Sequence, residues 1–276
     1  DDFGITFMGE KEEGYFSSTR NGRRYGDDIF GFFLPELELL AEVVVKDKNT
    51  EVPLENAKVN LIGSDGSSEI KQTRRNGICH FRLEPSTDYI FVGNSEGYLK
   101  AKTLLNVPDT SVNMSFPLEV MLPPIGEPIE IPNIFYEFAK WDLTEESKKA
   151  LDELIETLND NPYITIELAA HTDNRGSVKD NQELSQKRAQ SVVDYLIENN
   201  IEKERLVAKG YGESKPKVIT EKYANSFLHA GDVLDEHFIE NLETDEQKEA
   251  AHQINRRTEF EVLSTNYVPR IKRNKK

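Results

Sequence analysis

Four prolines fall within ten residues, at Pro123, Pro124, Pro128 and Pro132, with a fifth just upstream at Pro117. Proline locks φ near about −65° and has no backbone N–H to donate, so the stretch runs extended and joins neither a helix nor a central strand. The hydrophobic period changes across it. Upstream, apolar residues alternate or come in short strand-sized runs; downstream, many recur at three- and four-residue intervals. The chain of 276 residues therefore reads as a β part, a proline-rich linker at 123–132, and an α+β part.

The β part carries regular turn signals. Strands are expected at Leu39–Lys46, Ala57–Ile62, Ile70–Thr73, Ile78–Leu83, Tyr89–Asn94, Leu99–Leu104 and Val112–Leu118, the seven-strand pattern of a sandwich over 37–122. Asn76-Gly77 predicts a hairpin joining Ile70–Thr73 to Ile78–Leu83. Cys79 alternates with Phe81 and Leu83, so it belongs to the core as a small apolar side chain. The segments Glu51-Val-Pro-Leu-Glu-Asn-Ala57, Thr73-x-x-Asn76-Gly77 and Glu96-Gly97-Tyr98 resemble the carboxypeptidase-regulatory-like sandwich family, which implies a spacer or binding scaffold. Residues 1–36 read as strands Gly4–Met8, Gly14–Ser18 and Ile29–Leu34 with turns at Asn21-Gly22 and Gly26-Asp27-Asp28. The runs Gly14–Arg20 and Gly26–Phe30 resemble the end of a β-propeller blade, implying a truncated propeller or a β extension.

In the α+β part a strand is expected at Asn133–Phe138. A helix follows, capped by Thr144 with two acids in its first turn. Ile164, Ile166, Leu168 and Ala170 alternate as a strand. A second helix spans about Asn181–Asn199, and strands follow at Leu206–Gly210 and Thr258–Leu263. The predicted class is multi-domain: an all-β sandwich followed by an α+β domain at 133–264, of order β-α-β-α-β-β, with a mixed sheet and helices on one face. Residues 265–276 form a basic tail.

Composition removes several functions. Fifty acidic residues against 34 basic ones give a formal charge of −16, the wrong sign for a nucleic-acid footprint. No run approaches the roughly 18 apolar residues a membrane helix needs. A single cysteine excludes an internal disulfide. The chain opens on Asp1-Asp2 without a basic or apolar leader, and is expected to be a fragment whose targeting or lipid-anchor signal lies upstream.

The most specific pattern is Leu168-Ala-Ala-His-Thr-Asp-Asn-Arg-Gly176, then Asn181, Leu184-Ser185 and Arg188-Ala189, then Gly210-Tyr-Gly-Glu-Ser-Lys-Pro216, then Asn255-Arg256-Arg257-Thr-Glu-Phe260. Over residues 129–264 it resembles the OmpA-like domain, which implies binding to peptidoglycan in the periplasm of Gram-negative bacteria. The family's ligand-pairing Asp and Arg fall on Asp173 and Arg188. A loop carboxylate and a helix guanidinium fifteen residues on suit a zwitterion: the first takes an ammonium, the second forks onto a carboxylate. The distal end of diaminopimelate in a stem peptide carries both groups, whereas lysine lacks the carboxylate.

Other site residues follow from the same resemblance. Asn181 is either the helix cap or a ligand contact, and the roles can coexist. Thr172 and Asn174 are expected to present backbone N–H groups to a carboxylate. Tyr136 stands where the family has a Phe beside the peptide. Of Arg256 and Arg257, one is expected to hold the loop acids and one to touch the ligand; Arg257 is carried as the candidate contact, though the motif does not say which of the two it is. His171 reads as structural, because no second ligand stands at metal spacing. No cofactor, metal or catalytic residue is expected. Residues 217–254 exceed the usual family length, with short amphipathic helices over Val233–Leu242 and Thr244–Ile254 and a capping box at Thr244–Gln247. They are expected to be dispensable for the ligand, with Tyr223, Phe227 and Phe238 serving partner docking or the segment's own core.

The module order resembles the PorE-type periplasmic lipoproteins of the Bacteroidetes type IX secretion machinery. It implies a non-enzymatic cell-wall anchor, outer-membrane-associated, with peptidoglycan and secretion-complex proteins as partners. The alternative is a protein–protein interaction module of an outer-membrane complex without wall binding.

Overall fold

A computed structural model describes residues 2–8, 13–19, 28–33, 36–132, 134, 141–220 and 223–269. Strands β1 (Asp2–Phe7), β2 (Glu13–Ser18) and β3 (Asp28–Phe33) form an antiparallel sheet in that order. Phe16 and Phe30 stack on it with centroids 5.5 Å apart. The expected turns at Asn21-Gly22 and Gly26-Asp27 lie outside the described residues.

Seven strands build the sandwich: β4 (Leu39–Asp47), β5 (Lys58–Gly63), β6 (Ser68–Gln72), β7 (Ile78–Arg82), β8 (Asp88–Asn94), β9 (Ala101–Asn106) and β10 (Met114–Leu122). One sheet runs β10-β4-β7 and the other β6-β5-β8-β9. Period-2 alternation sends Val43, Val45, Val59, Leu61, Phe81, Phe91, Val120 and Leu122 into one buried layer. Phe81 meets Phe91 edge-on at 5.6 Å across the sheets. Cys79 lies in this core as expected, and burial pushes its thiol up to about 11.

The expected hairpin at Asn76-Gly77 does not form. The turn itself is present, closed by the Gly77 N–H to the Arg74 carbonyl at 2.8 Å. The flanking strands then part: β6 pairs with β5, and β7 with β4 in the other sheet. Thr73 holds the chain to the β6-β5 sheet, because its Oγ1 accepts the Ala57 N–H at 3.0 Å and donates to Leu54 O at 2.6 Å. The Gly77 carbonyl accepts from Val45 of β4 at 2.9 Å. The turn is therefore a crossover between layers.

The proline-rich stretch is docked rather than a bare spacer. The Leu99 N–H donates to Pro123 O at 2.8 Å, and Ile125 N–H to Gly97 O at 2.9 Å. Within it, β11 (Ile129–Glu130) pairs with the final strand, β14 (Thr258–Ser264). The elements between are α1 (Glu145–Asp160), β12 (Thr165–His171), α2 (Val178–Glu198), β13 (Leu206–Gly212), α3 (Glu236–Glu240) and α4 (Asp245–Asn255). The sheet order is β11-β14-β12-β13, with β12 and β13 parallel and the other pairs antiparallel. The expected strand at Asn133–Phe138 lies outside the described residues except Ile134, and the tail lies outside from residue 270 onward.

Thr144 caps α1 as expected, accepting the Ser147 N–H. Leu151, Leu154 and Leu158 of α1 and Val192, Val193 and Leu196 of α2 bury against Ile166, Leu168 and Phe260 of the sheet. Leu99 of the sandwich shares this core. Beside it, Asn161 at the end of α1 takes the Lys100 N–H at 2.9 Å and donates to Lys100 O at 3.2 Å. Residues 217–254 carry a small core of their own: Ile219, Leu228, Leu234, Ile239 and Ala251, packed by Tyr223, Phe227 and Phe238. Those aromatics thus serve the segment's interior, and the capping box at Thr244 and Gln247 is present.

Candidate ligand-binding site

Helix α2 is fastened to the sheet before any site is built. β13 is an edge strand, so one side of its backbone needs partners. Gln186 supplies them, accepting the Gly210 N–H at 2.8 Å and donating to Ala208 O at 3.2 Å. Gln182 donates to Gly210 O at 2.7 Å, and Ser185 accepts the Gly212 N–H at 2.8 Å. The helix comes so near that a Cβ at Gly210 would lie 2.2 Å from Gln186 N. This explains the glycine in the Gly210-Tyr-Gly motif, and it sets the depth of Arg188 one turn further along α2.

The loop after β12 supplies the other wall. Ser177 caps α2 by accepting the Asp180 N–H at 3.1 Å. Asn181 is therefore not the cap; it is buried in the first turn, where its Nδ2 donates to Asp173 O at 3.2 Å and to Glu213 Oε2 at 2.6 Å. It clamps the loop that carries Asp173 to the segment after β13.

Loop and helix enclose a cleft of about 910 Å³, lined by Asp173, Arg188, Thr172 and Asn181 together with Trp141, Lys187 and others. Four carboxylates (Asp173, Asp180, Glu183, Glu249) face four cations (Arg175, Lys187, Arg188, Arg256) around it. Asp173 is buried and gripped on one oxygen: its Oδ2 receives Arg175 Nε at 2.9 Å, Arg175 Nη2 at 2.6 Å and Arg256 Nη1 at 2.5 Å. Burial alone would raise this carboxyl, but the two guanidinia outweigh it and hold Asp173 below the usual carboxylate range. Glu249 closes the ring, accepting Arg175 Nη1 at 2.9 Å and Arg256 Nη2 at 2.8 Å. Lys187 sits over the Trp141 ring at 4.5 Å.

Not every expected residue converges here. The Thr172 N–H is not available to a ligand, since it donates to Gly212 O at 2.9 Å and extends the β12–β13 ladder by one residue. Thr172 still lines the cleft through its buried side chain, whose Oγ1 has no hydrogen-bond partner among the described residues. Asn174 is not among the lining residues, and its Oδ1 is buried with no partner among the described residues. Arg257 is not among the cleft-lining residues; it donates to Glu259 Oε2 at 3.0 Å and lines an adjoining cavity that shares Arg188 and Arg256 with the cleft. Tyr136 lies outside the described residues. Sequence reasoning missed Trp141, Arg175, Lys187, Glu183 and Glu249 as cleft residues. It assigned Arg256 only as one candidate holder of the loop acids, the part it plays.

His171 is buried with its Nε2 3.0 Å from Glu259 Oε1 and its ring stacked on Tyr211 at 5.4 Å. Burial drives its pKa down, so the imidazole is neutral near pH 7. Burial would raise Glu259, but His171 and Arg257 overcome it and bring that carboxyl down to about 2. Among the described residues, no group of three His, Cys, Asp or Glu side chains is placed to hold a metal ion. No helix of the described residues is long and apolar enough to cross a membrane.

Residues 135–226, a span that holds Asp173, Asn181, Arg188 and the Gly210-Tyr-Gly motif, match the OmpA family model. The C-terminal domain is OmpA-like. Outer membrane protein A of Salmonella typhi is 42% identical over 86 residues, covering 30% of this chain and 25% of that protein. Its counterpart in Citrobacter freundii is 41% identical over 86 residues, 30% of this chain and 36% of the relative. The chain thus covers between 25% and 36% of these curated relatives. Among solved structures, the peptidoglycan-associated lipoprotein from Burkholderia pseudomallei is 22% identical with a TM-score of 0.35, covering 47% of this chain and 88% of that one. The cell wall anchor of the T6SS from Pseudomonas aeruginosa is 21% identical with a TM-score of 0.33, covering 48% and 76%. Likeness at that level says nothing about ligands. The OmpA match ends inside the segment that carries α3 and α4, so Glu249 and Arg256, which complete the ring on Asp173, lie beyond it.

Proposed function

We propose that the OmpA-like domain is a non-catalytic peptidoglycan-binding anchor of the periplasm, gripping the diaminopimelate of the stem peptide through Asp173 and Arg188. One observation carries this reading: a buried, ionised carboxylate and a buried guanidinium from different elements line one cleft whose walls are balanced in charge. Such a cleft favours a ligand that is itself a zwitterion over an anion or a cation. Ammonium goes to Asp173 and carboxylate to Arg188, with Asn181 fixing the loop between them.

The finer role follows from module order. The sandwich and the N-terminal sheet hold partner proteins while the OmpA-like domain holds the wall, as in a tether for a type IX secretion complex, with a lipid anchor upstream placing it at the outer membrane. Calorimetric titration with a diaminopimelate-containing muropeptide and its lysine counterpart tests the ligand. Diaminopimelate peptides are expected to bind and lysine peptides to bind at least tenfold more weakly, a loss of about 1.4 kcal/mol or more for the missing carboxylate. Equal affinities end the zwitterion argument, and absent sedimentation with purified sacculi favours a module that contacts proteins alone.

A further inference from the structure

We propose that Arg175 and Glu249 form a latch that competes with the ligand's ammonium for Asp173, and thereby sets the affinity of the cleft. The proposal rests on Asp173 being the ammonium-binding group, as argued above.

Asp173 is already occupied on Oδ2 by two guanidinia, while Oδ1 receives the Arg175 backbone N–H at 3.3 Å. An ammonium arriving at this carboxylate finds Oδ2 taken by two guanidinia, in a cluster whose charge Glu249 balances. To bind Oδ2 it has to displace one of them, and the two differ in freedom. The Arg256 side chain is 25% exposed and the Arg175 side chain 53%. Arg175 also rises from the cleft-lining loop itself, two residues after Asp173, so it can swing into solvent without disturbing a helix or strand. Arg256 caps the end of α4 and stays.

What holds Arg175 over Asp173 is Glu249. It takes Arg175 Nη1 at 2.9 Å while bonding Arg256 at 2.8 Å on its other oxygen. Glu249 belongs to α4, within the 217–254 segment that was expected to be dispensable for the ligand. The segment therefore supplies a wall of the cleft and one half of the latch. The consequence for affinity is physical. An entering ammonium exchanges one charge-assisted contact on Asp173 for another, so the latch lowers the net gain of binding.

The test is calorimetry with a muropeptide whose stem ends in diaminopimelate, on the wild-type chain and on Arg175→Ala, Glu249→Gln and Asp173→Ala, with circular dichroism confirming the fold of each. Arg175→Ala is expected to bind about three- to tenfold tighter, the range for losing a half-exposed charge-assisted competitor. Glu249→Gln shifts affinity the same way by less, and Asp173→Ala loses binding. A gain in affinity cannot come from structural damage, so it supports the latch. Binding that depends on Asp173 but is unchanged or weaker in Arg175→Ala overturns the latch alone, and makes Arg175 a bystander or a ligand contact. Equal binding by wild type and Asp173→Ala, or none by wild type and Arg175→Ala alike, overturns both the latch and the site beneath it.

Discussion

Gln186 accepts the Gly210 N–H at 2.8 Å, and this one hydrogen bond ties the helix that carries Arg188 to the edge of the sheet that positions Asp173. The side chain acts as a missing strand, giving and taking one bond on β13. The distance between the two walls of the cleft is thus set by backbone approach rather than by the charged residues themselves.

Gly210→Ala should therefore weaken binding without touching a charged side chain. The added Cβ would meet Gln186 backbone at 2.2 and 2.6 Å, which no rotamer change relieves. The expected stability loss is on the order of 3 kcal/mol, with muropeptide affinity falling in the population that remains folded. Urea denaturation and calorimetry on the same sample check both; an unchanged midpoint would show that α2 can ride outward at no cost.

Asp173→Ala and Arg188→Ala should each abolish retention on sacculi while the domain stays folded. Each removes one half of a charge-assisted contact and leaves the ligand's other charge in the cleft, for about 2–5 kcal/mol of binding. Their stabilities should differ from one another. Loss of Asp173 leaves Arg256 and Arg175 sharing Glu249 as their carboxylate in the ring, so this variant should also melt lower, and added salt should narrow that gap by screening the two cations.

Acid should act through Glu259. Its folded pKa of about 2 lies below the reference value of 4.5, so the unfolded chain binds the proton more readily. The stability it contributes is complete above pH 4.5 and is lost as pH falls toward 2, for about 3 kcal/mol in all. Unfolding free energies measured between pH 6 and about pH 2.5 should fall steeply in the wild type and less steeply in Glu259→Gln. Parallel slopes in the two proteins would place the acid sensitivity elsewhere.

Local chemistry was readable in the sequence; partners distant in the chain were not. Thr144 and the Thr244–Gln247 box cap their helices because a cap needs only residues three apart. The helix expected from about Asn181 starts three residues earlier, at Val178, where Ser177-x-x-Asp180 carries the same signal and forms the cap. Asn76-Gly77 does make a turn, but a turn does not say which strands pair. Ala57 and Leu54, which bond Thr73, and Val45, which bonds Gly77, decide that from 16 or more residues along the chain. That Asp173 and Arg188 share one cleft was legible because the motif places them on one loop and the helix that follows it. Arg256 and Glu249 reach the same carboxylate and its arginine across 83 and 74 residues, through a segment whose fold had no precedent in the motif. Trp141 offered no local signal beyond being the one tryptophan.

Asn161 should report whether sandwich and OmpA-like domain unfold together. Its side chain bonds both the N–H and the carbonyl of Lys100 and also the Thr157 carbonyl at the end of α1, so it joins a helix terminus to the other domain. Lys102 adds contacts to Glu156 and Asp160 at 3.3 Å each, but these are partly exposed and contribute little. Leu99 is a further link, buried in the C-terminal core. Asn161→Ala leaves two backbone groups of Lys100 without this partner and is expected to cost about 1–3 kcal/mol. Because that loss falls at the junction, calorimetric melting should change from one transition toward two, with the sandwich and the OmpA-like domain separating in temperature. A Leu99→Ala variant should widen the separation. If both variants melt in a single, merely lower transition, the two domains are coupled through the docked Pro123–Ile125 segment instead, and removing the Leu99–Pro123 bond is the change that would divide them.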